Sequence, residues 1–208
     1  DQYNHLVGVA KPRIKEIAIQ NFVINEHSST FIISEIGNNH NGDIKLAREL
    51  VDKALEAGTD CVKFQLRDLQ SLYVNKGYKD DVKEDLGTQY TLDLLSKNSL
   101  TKDELFEIFD YCKKQGGFPL CTPWDLQSLQ DLEEYGMPAY KVASADLVNV
   151  DLLCAIARTG KPLICSTGMS YYQEIINAVE LLKNNGAQYV LLQCNSAYPP
   201  PFKDINLK

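Results

Sequence analysis

The feature that most constrains the fold of this 208-residue chain is a repeated alternation of short β-branched runs with amphipathic segments. Each run has the length of a buried parallel strand. Between the runs, apolar residues recur at helical spacing, as they do from Leu46 to Leu55, and turn residues separate the two kinds of segment. The candidate strands are Phe31–Ile36, Cys61–Leu66, Phe118–Cys121, Ala139–Ala143, Leu163–Ser166 and Tyr189–Cys194.

Helix boundary signals support the same division. Asp43 is placed to cap a helix that Gly58 ends, and Thr101 with Glu104 forms a T-x-x-E capping box that starts another helix. Three further helices are predicted at Leu126–Glu134, Leu152–Ala157 and Tyr172–Lys183.

Six strands with five intervening helices predict an α/β fold with a parallel sheet covered on both faces. The sheet is either doubly wound or a (β/α)₈ barrel without its last two units. Before it, Ile14–Ile19 and Phe22–Ile24 alternate like a short β-hairpin. We therefore divide the chain into an N-terminal extension and hairpin, 1–30, and a partial barrel, 31–208. The long polar segment 67–100 is expected to be either a lid over a site or a disordered excursion, and we favour the lid.

Composition narrows the function classes. With 21 basic and 28 acidic residues, the net charge of −7 gives no basic field for nucleic acid or an anionic membrane surface. No segment has the roughly 20 apolar residues of a membrane span, so we expect a cytoplasmic protein. The six cysteines form no CxxC pair and are interpreted as reduced and structural.

Polar side chains follow nearly every predicted strand, at the edge where parallel α/β folds bind ligands. Lys63 and Lys141 lie within strands, and burying either one unpaired would cost several kcal/mol. They can pair with Glu35 and Asp146 in an internal network, or they can bind an anionic ligand. We favour an anion pocket, because Thr122, Ser144, Ser166 and the glycine-rich turn 37–42 stand at the same rim.

Six short motifs at the strand ends together resemble those of one family. Glu-Ile-Gly-Asn-Asn-His-Asn-Gly at 35–42, Lys-Phe-Gln at 63–65, Thr-Pro-Trp-Asp at 122–125, Lys-Val-Ala-Ser at 141–144, Ser-Thr-Gly-Met at 166–169 and Cys-Asn-Ser-Ala-Tyr-Pro at 194–199 are similar to the sialic acid (N-acetylneuraminate) synthase family. The motifs occur in the family's order at strand ends. The resemblance implies a (β/α)₈ TIM-type barrel, here incomplete at its carboxyl end.

The resemblance also implies a reaction. Carbon 3 of phosphoenolpyruvate attacks the aldehyde of an N-acetylmannosamine-type amino sugar, water adds at carbon 2, and phosphate leaves, giving a sialic acid or a related nonulosonic acid. The positions that match the family's phosphoenolpyruvate contacts are Lys63, Thr122, Lys141, Ser144, Ser166 and Ser196, and those that match its sugar contacts are Gln65, Asn195 and Tyr198.

Glu35 and Asp146 are the acid and base candidates, because a carboxylate in a semi-closed site can have its pKa tuned for proton transfer. Three positions depart from the family pattern. Asp146 replaces a usual Glu, which places the carboxylate one methylene further back, and Gln193 and Ser196 replace a frequent His and Asn. We interpret these departures as a variant sugar specificity, although the sequence does not identify the amino sugar.

The family's divalent metal, Mn²⁺ or Mg²⁺, is held by histidines on the seventh and eighth strands, which would lie beyond residue 208. No metal ligand set is therefore expected in this chain, and no organic cofactor is expected. His40 is expected to order its turn or touch substrate. We expect the protein either to continue past Lys208 or to complete its barrel with another chain, and the resemblance implies a homodimer for the full-length protein.

Two other functions stay open from the sequence. One is a Schiff-base aldolase, in which a desolvated Lys63 or Lys141 attacks a carbonyl group. The other is a catalytically idle module that binds phosphosugars or a partner, since the metal ligands lie outside the chain.

Overall fold

The strand order distinguishes the two predicted architectures. A computed structural model describes residues 16–69, 93–197 and 199–207 of the chain. Its main sheet has six strands, β3 to β8, which pair in parallel and follow one another in chain order. A doubly wound sheet reverses its order at a switch point, whereas successive units of a barrel pair in sequence. The sheet is therefore a curled partial barrel, as predicted, and not a doubly wound sheet.

The elements alternate as the sequence pattern predicts. The hairpin is β1 (Glu16–Ile19) and β2 (Phe22–Asn25), and these two strands pair in antiparallel fashion. The sheet strands are β3 (Ile33–Gly37), β4 (Cys61–Leu66), β5 (Pro119–Pro123), β6 (Tyr140–Val142), β7 (Leu163–Ser166) and β8 (Tyr189–Leu192). Their crossover helices are α1 (Ile44–Glu56), α2 (Lys102–Lys114), α3 (Leu126–Tyr135), α4 (Val150–Arg158) and α5 (Tyr172–Asn184).

The predicted helix signals have the expected geometry. Asp43 caps α1 by accepting from the Lys45 and Leu46 amides, and Gly58 follows that helix with φ +82°. The capping box of α2 is complete, with Thr101 and Glu104 each accepting from the other's backbone N–H. These local contacts satisfy amide donors that have no partner inside a helix.

Two apolar layers position the site. The hairpin residues Ile17 and Ile19 pack with inward-facing strand residues in one cluster, and a larger cluster lies between the sheet and its helices. Because side chains alternate along a strand, a residue two positions after an inward one faces the same side. Inward-facing Cys61 is followed in this way by Lys63, and Ala139 by Lys141. The barrel interior is thus apolar at the hairpin end and polar toward the carboxyl ends of the strands.

Segment 67–100 is only partly described. Residues 70–92, which contain most of the proposed lid, lie outside the described residues, and the lid stays a prediction. Residues 93–98 form a helix that the sequence analysis did not predict. The Lys97 carbonyl lies 2.5 Å from the point where a Cβ on Gly42 would stand, so the glycine-rich turn and this helix approach closely. Among the described residues, no helix is long and apolar enough to span a membrane.

Candidate active site

Lys63 lies among the polar residues toward the carboxyl ends of the strands and contacts two neighbours. Its Nζ is 2.5 Å from Glu35 Oε2 and donates to Thr122 Oγ1 at 3.2 Å. Glu35 is directly opposite Lys63 in the parallel ladder, which explains why the two side chains meet. The Lys63 side chain is 5% exposed and that of Glu35 is 52% exposed, so the carboxylate lies on the solvent side of the ammonium. This contact is one half of the internal network that the sequence left open.

The other half of that network is not formed. Lys141 is 9% exposed, and its Nζ donates to the Val142 carbonyl at 2.8 Å. In the described part of the chain it makes no ion pair with a carboxylate, from Asp146 or elsewhere. Burial, followed by the positive charge of Lys63, lowers the pKa of Lys141 from 10.5 to about 8. At the rim that holds both lysines, only one of the two therefore has a carboxylate partner among the described residues.

Asp146 does not lie at the end of β6, as predicted, but in a turn after that strand. After β6 the chain forms a 3₁₀ turn, Ser144–Asp146, which buries the carboxyl group to 9% exposure. Asp146 Oδ1 accepts from Asn149 Nδ2 at 3.2 Å, and Oδ2 is buried without a hydrogen bond from any described residue. Burial raises the pKa of Asp146, while the Asn149 hydrogen bond and the Arg67 charge lower it. A carboxyl group in this setting can hold or accept a proton on its unpartnered oxygen.

Gln65 is oriented by an indole that the sequence analysis left without a role. Trp124 Nε1 donates to Gln65 Oε1 at 3.2 Å, and the Arg67 guanidinium stacks 4.1 Å above the Trp124 ring. With its oxygen occupied, the Gln65 amide presents its NH₂ group to other partners. The Thr-Pro-Trp-Asp motif contains both Trp124 and Asp125, and Asp125 caps α3 by accepting from the Ser128 amide.

Two glycines bring the polar groups together. Gly37 has φ +54°, and a Cβ there would lie 3.1 Å from Glu35 Oε1 and 3.2 Å from Gln65 Nε2. The strand register shifts between Glu35 and Gly37, as it does at a β-bulge that re-aims a side chain. A Cβ on Gly168 would lie 2.9 Å from Ser144 Oγ. The sequence signal for both residues was the motif that contains each glycine, but the contacts themselves could be seen only in the folded chain.

The remaining predicted residues differ in burial and in partners. Ser144 is half-buried just after β6, the strand of Lys141, and Ser166 is buried at the end of the neighbouring strand β7. Asn195 is half-buried and accepts from the Ala197 amide at 2.8 Å, while Ser196 is exposed. Tyr198 lies outside the described residues, so its predicted sugar contact stays a prediction. His40 is 2% exposed and accepts from the Gly42 amide at 3.1 Å, so it orders the glycine-rich turn.

Comparison with known proteins decides the family. Residues 50–208 match the sequence profile of the NeuB family. The chain belongs to the NeuB family. Its N,N'-diacetyllegionaminic acid synthase relative from Campylobacter jejuni is 36% identical over 184 residues, covering 86% of this chain and 55% of that protein. Human N-acetylneuraminate-9-phosphate synthase is 31% identical over 180 residues, covering 86% of this chain and 50% of that protein.

A solved NeuB-type structure agrees with the fold. The N-acetylneuraminic acid (sialic acid) synthetase of Leptospira borgpetersenii, crystallised with citrate, superposes with a TM-score of 0.81 at 31% identity. The match covers 92% of this chain and 63% of that one. The chain thus spans about half the length of the curated relatives that it matches. These comparisons confirm the predicted family and the partial barrel with its hairpin.

The expected metal can be compared with the side chains present. In ranges 16–69, 93–197 and 199–207, no group of three His, Cys, Asp or Glu side chains is arranged to hold an ion. The described residues alone therefore do not fit the divalent metal that the resemblance implies.

Proposed function

We propose that the protein condenses phosphoenolpyruvate with an N-acetylmannosamine-type amino sugar, giving a sialic acid or a related nonulosonic acid and releasing phosphate. The observation that carries the proposal is the shortage of negative charge at one rim. Lys63 has a single carboxylate partner, and Lys141 is buried beside it without one in the described residues. A small anion supplies the missing charge. Family relatives named as synthases of nonulosonic acids support the same reaction class.

Six side chains are assigned to phosphoenolpyruvate. Lys63 and Lys141 supply positive charge, and the hydroxyl groups of Thr122, Ser144 and Ser166 supply directional hydrogen bonds. An ammonium has three donors, of which described residues take two at Lys63, leaving one for a ligand. Binding of the anion further favours the protonated form of Lys141, because a nearby negative charge stabilises the ammonium. Ser196 is assigned to the same ligand on the resemblance alone.

Two carboxyl groups are assigned to proton transfer. Attack of carbon 3 on the aldehyde generates an alkoxide that needs a proton, and addition of water at carbon 2 releases one. Asp146 has an oxygen without a partner among the described residues, and burial raises its pKa, so it holds a proton more readily than an exposed carboxyl group does. Glu35 faces solvent beside Lys63 and is the second candidate.

The amino sugar is assigned to Gln65, Asn195 and Tyr198. The amide NH₂ group of Gln65 matches an acceptor such as a hydroxyl or N-acetyl oxygen. The divalent metal that the resemblance implies remains a prediction. The homodimer and the cytoplasmic location remain predictions.

The test is product formation by the protein with phosphoenolpyruvate, N-acetylmannosamine and Mn²⁺. We expect phosphate release and a nine-carbon 2-keto acid in equal amounts, and loss of both in the Lys63→Met variant. An exposed lysine on α1, replaced in Lys45→Met, is the matched control and should leave the reaction unchanged. Phosphoenolpyruvate binding without release of its phosphate, whichever amino sugar is added, would contradict the proposal and favour an idle binding module.

A further inference from the structure

The two buried lysines of the rim have different surroundings. Lys63 contacts Glu35 at 2.5 Å and Thr122 at 3.2 Å, so its nitrogen is an ammonium held by an acid and a hydroxyl. Lys141 has only the carbonyl of the next residue, at 2.8 Å. Among the described residues no acid holds a proton on Lys141. Both lysines have the same predicted role in the sequence. In the structure, only Lys63 has an acidic partner among the described residues.

This environment makes Lys141 a nucleophile. A lysine is activated when it is desolvated or lies beside another cation, and both conditions hold here. Because burial and Lys63 lower the pKa of Lys141 to about 8, a larger fraction of this side chain is a neutral amine at pH 7 than of an ordinary exposed lysine. The reactive form is therefore enriched on the order of 100-fold over that of an exposed lysine.

We propose that Lys141 forms a reversible imine with 2-keto acids that enter the rim. The Lys63 ammonium attracts the carboxylate of the keto acid, and the carbonyl carbon is the atom next to that carboxylate. The Lys141 amine adds to this carbon, giving a carbinolamine. Loss of one water then leaves a C=N bond, with the carbonyl oxygen departing in the water. No oxidation or reduction occurs.

This reactivity goes beyond the proposed synthase reaction and does not depend on turnover. Phosphoenolpyruvate is an enol ester without a ketone, so Lys141 can meet it only as a charge and hydrogen-bond donor. A free keto acid, including the product of the proposed condensation, does offer a ketone. The imine would therefore occupy the rim after a keto acid accumulates, and phosphoenolpyruvate would compete with it.

The groups around Lys141 determine the expected pH dependence. Lys63 lowers the pKa of Lys141, and Glu35, Cys165 and Cys194 raise it. Burial raises the pKa of the Cys165 thiol to about 12, so this group stays neutral throughout the useful range. Imine formation should accordingly increase through pH 8 as Lys141 loses its proton.

The test uses pyruvate as the probe, with sodium cyanoborohydride to reduce the imine to a stable secondary amine. Peptide mapping by mass spectrometry then locates the adduct on the wild-type chain. We expect Lys141 to be labelled at least tenfold faster than the exposed Lys45 and Lys183, with a midpoint near pH 8 and protection by phosphoenolpyruvate. The Lys141→Arg variant, which keeps the positive charge, should lose the rim adduct.

Two results would overturn the inference: labelling of Lys63 in preference to Lys141, or labelling of Lys141 no faster than exposed lysines. Either result leaves the synthase proposal standing, because phosphate release from phosphoenolpyruvate is measured separately. Conversely, selective labelling of Lys141 with no phosphate release would support the imine and contradict only the synthase reaction.

Discussion

Replacing Lys141 with methionine should stabilise the protein in a pH-dependent way. The pKa of Lys141 falls from 10.5 in an exposed chain to about 8 in the fold. At about 1.4 kcal/mol per pKa unit, keeping the buried ammonium at neutral pH costs about 3 kcal/mol. Methionine fills a similar volume and carries no charge, so Lys141→Met removes this cost. The variant should therefore unfold at higher urea concentration than the wild type at pH 7.

The sign of the pH dependence follows from proton binding. Below pH 8 both folded and unfolded wild-type chains hold the Lys141 proton, and the full cost is present. Between about pH 8 and 10.5 the unfolded chain binds more protons than the folded one, so wild-type stability rises with pH relative to the variant. The advantage of Lys141→Met should shrink from about 3 kcal/mol at pH 7 to about 1 kcal/mol at pH 10.

Urea unfolding of both proteins at a series of pH values measures this difference. Tyrosines and cysteines that titrate at alkaline pH are common to both proteins, so their contributions cancel. Lys45→Met on the exposed face of α1 is the control and should show no such trend. A stability difference that stays constant from pH 7 to pH 10 would refute the assignment of Lys141 as a desolvated amine.

Two glycine variants test how the rim is assembled. Gly37→Ala should weaken phosphoenolpyruvate binding, because its Cβ would stand 3.1 Å from Glu35 Oε1. Gly58→Ala is the control, since Gly58 also has a positive φ but a Cβ there would meet nothing within 4 Å. The control should lose only about 1 kcal/mol of stability through backbone strain. Equal affinities for the two variants in calorimetry would contradict the positioning role. Gly168→Ala should displace Ser144, whose Oγ would lie 2.9 Å from the new Cβ, and lower the same affinity about tenfold or more. Wild-type affinity in that variant would show that Ser144 does not contribute.

Much of the fold could be predicted because its signals are local. The capping box at Thr101 and the alternation of β-branched runs with helical spacing depend on neighbours in sequence. Strand limits moved by a few residues, as at β6, where Tyr140–Val142 replaces the predicted Ala139–Ala143. The helix at 93–98 was missed because it lies inside a polar segment without a clear apolar period.

The site was predictable as a set of residues but not as a set of contacts. Strand ends identified Lys63 and Lys141 as neighbours at one edge, yet their partners depend on register and turns. Glu35 reaches Lys63 because the two are opposite in the ladder, while the 3₁₀ turn after β6 leaves Asp146 out of contact with Lys141. Such details follow from three-dimensional packing, which no local pattern encodes.

The most direct test of the shared anion pocket is calorimetric titration of phosphoenolpyruvate into the wild type, Lys63→Ala and Lys141→Ala. Each substitution removes a charged hydrogen bond, so each should weaken binding by about 1.5 to 3 kcal/mol, roughly 10- to 150-fold in Kd. Lys45→Ala should bind as the wild type does. Wild-type affinity in both rim variants would contradict the account.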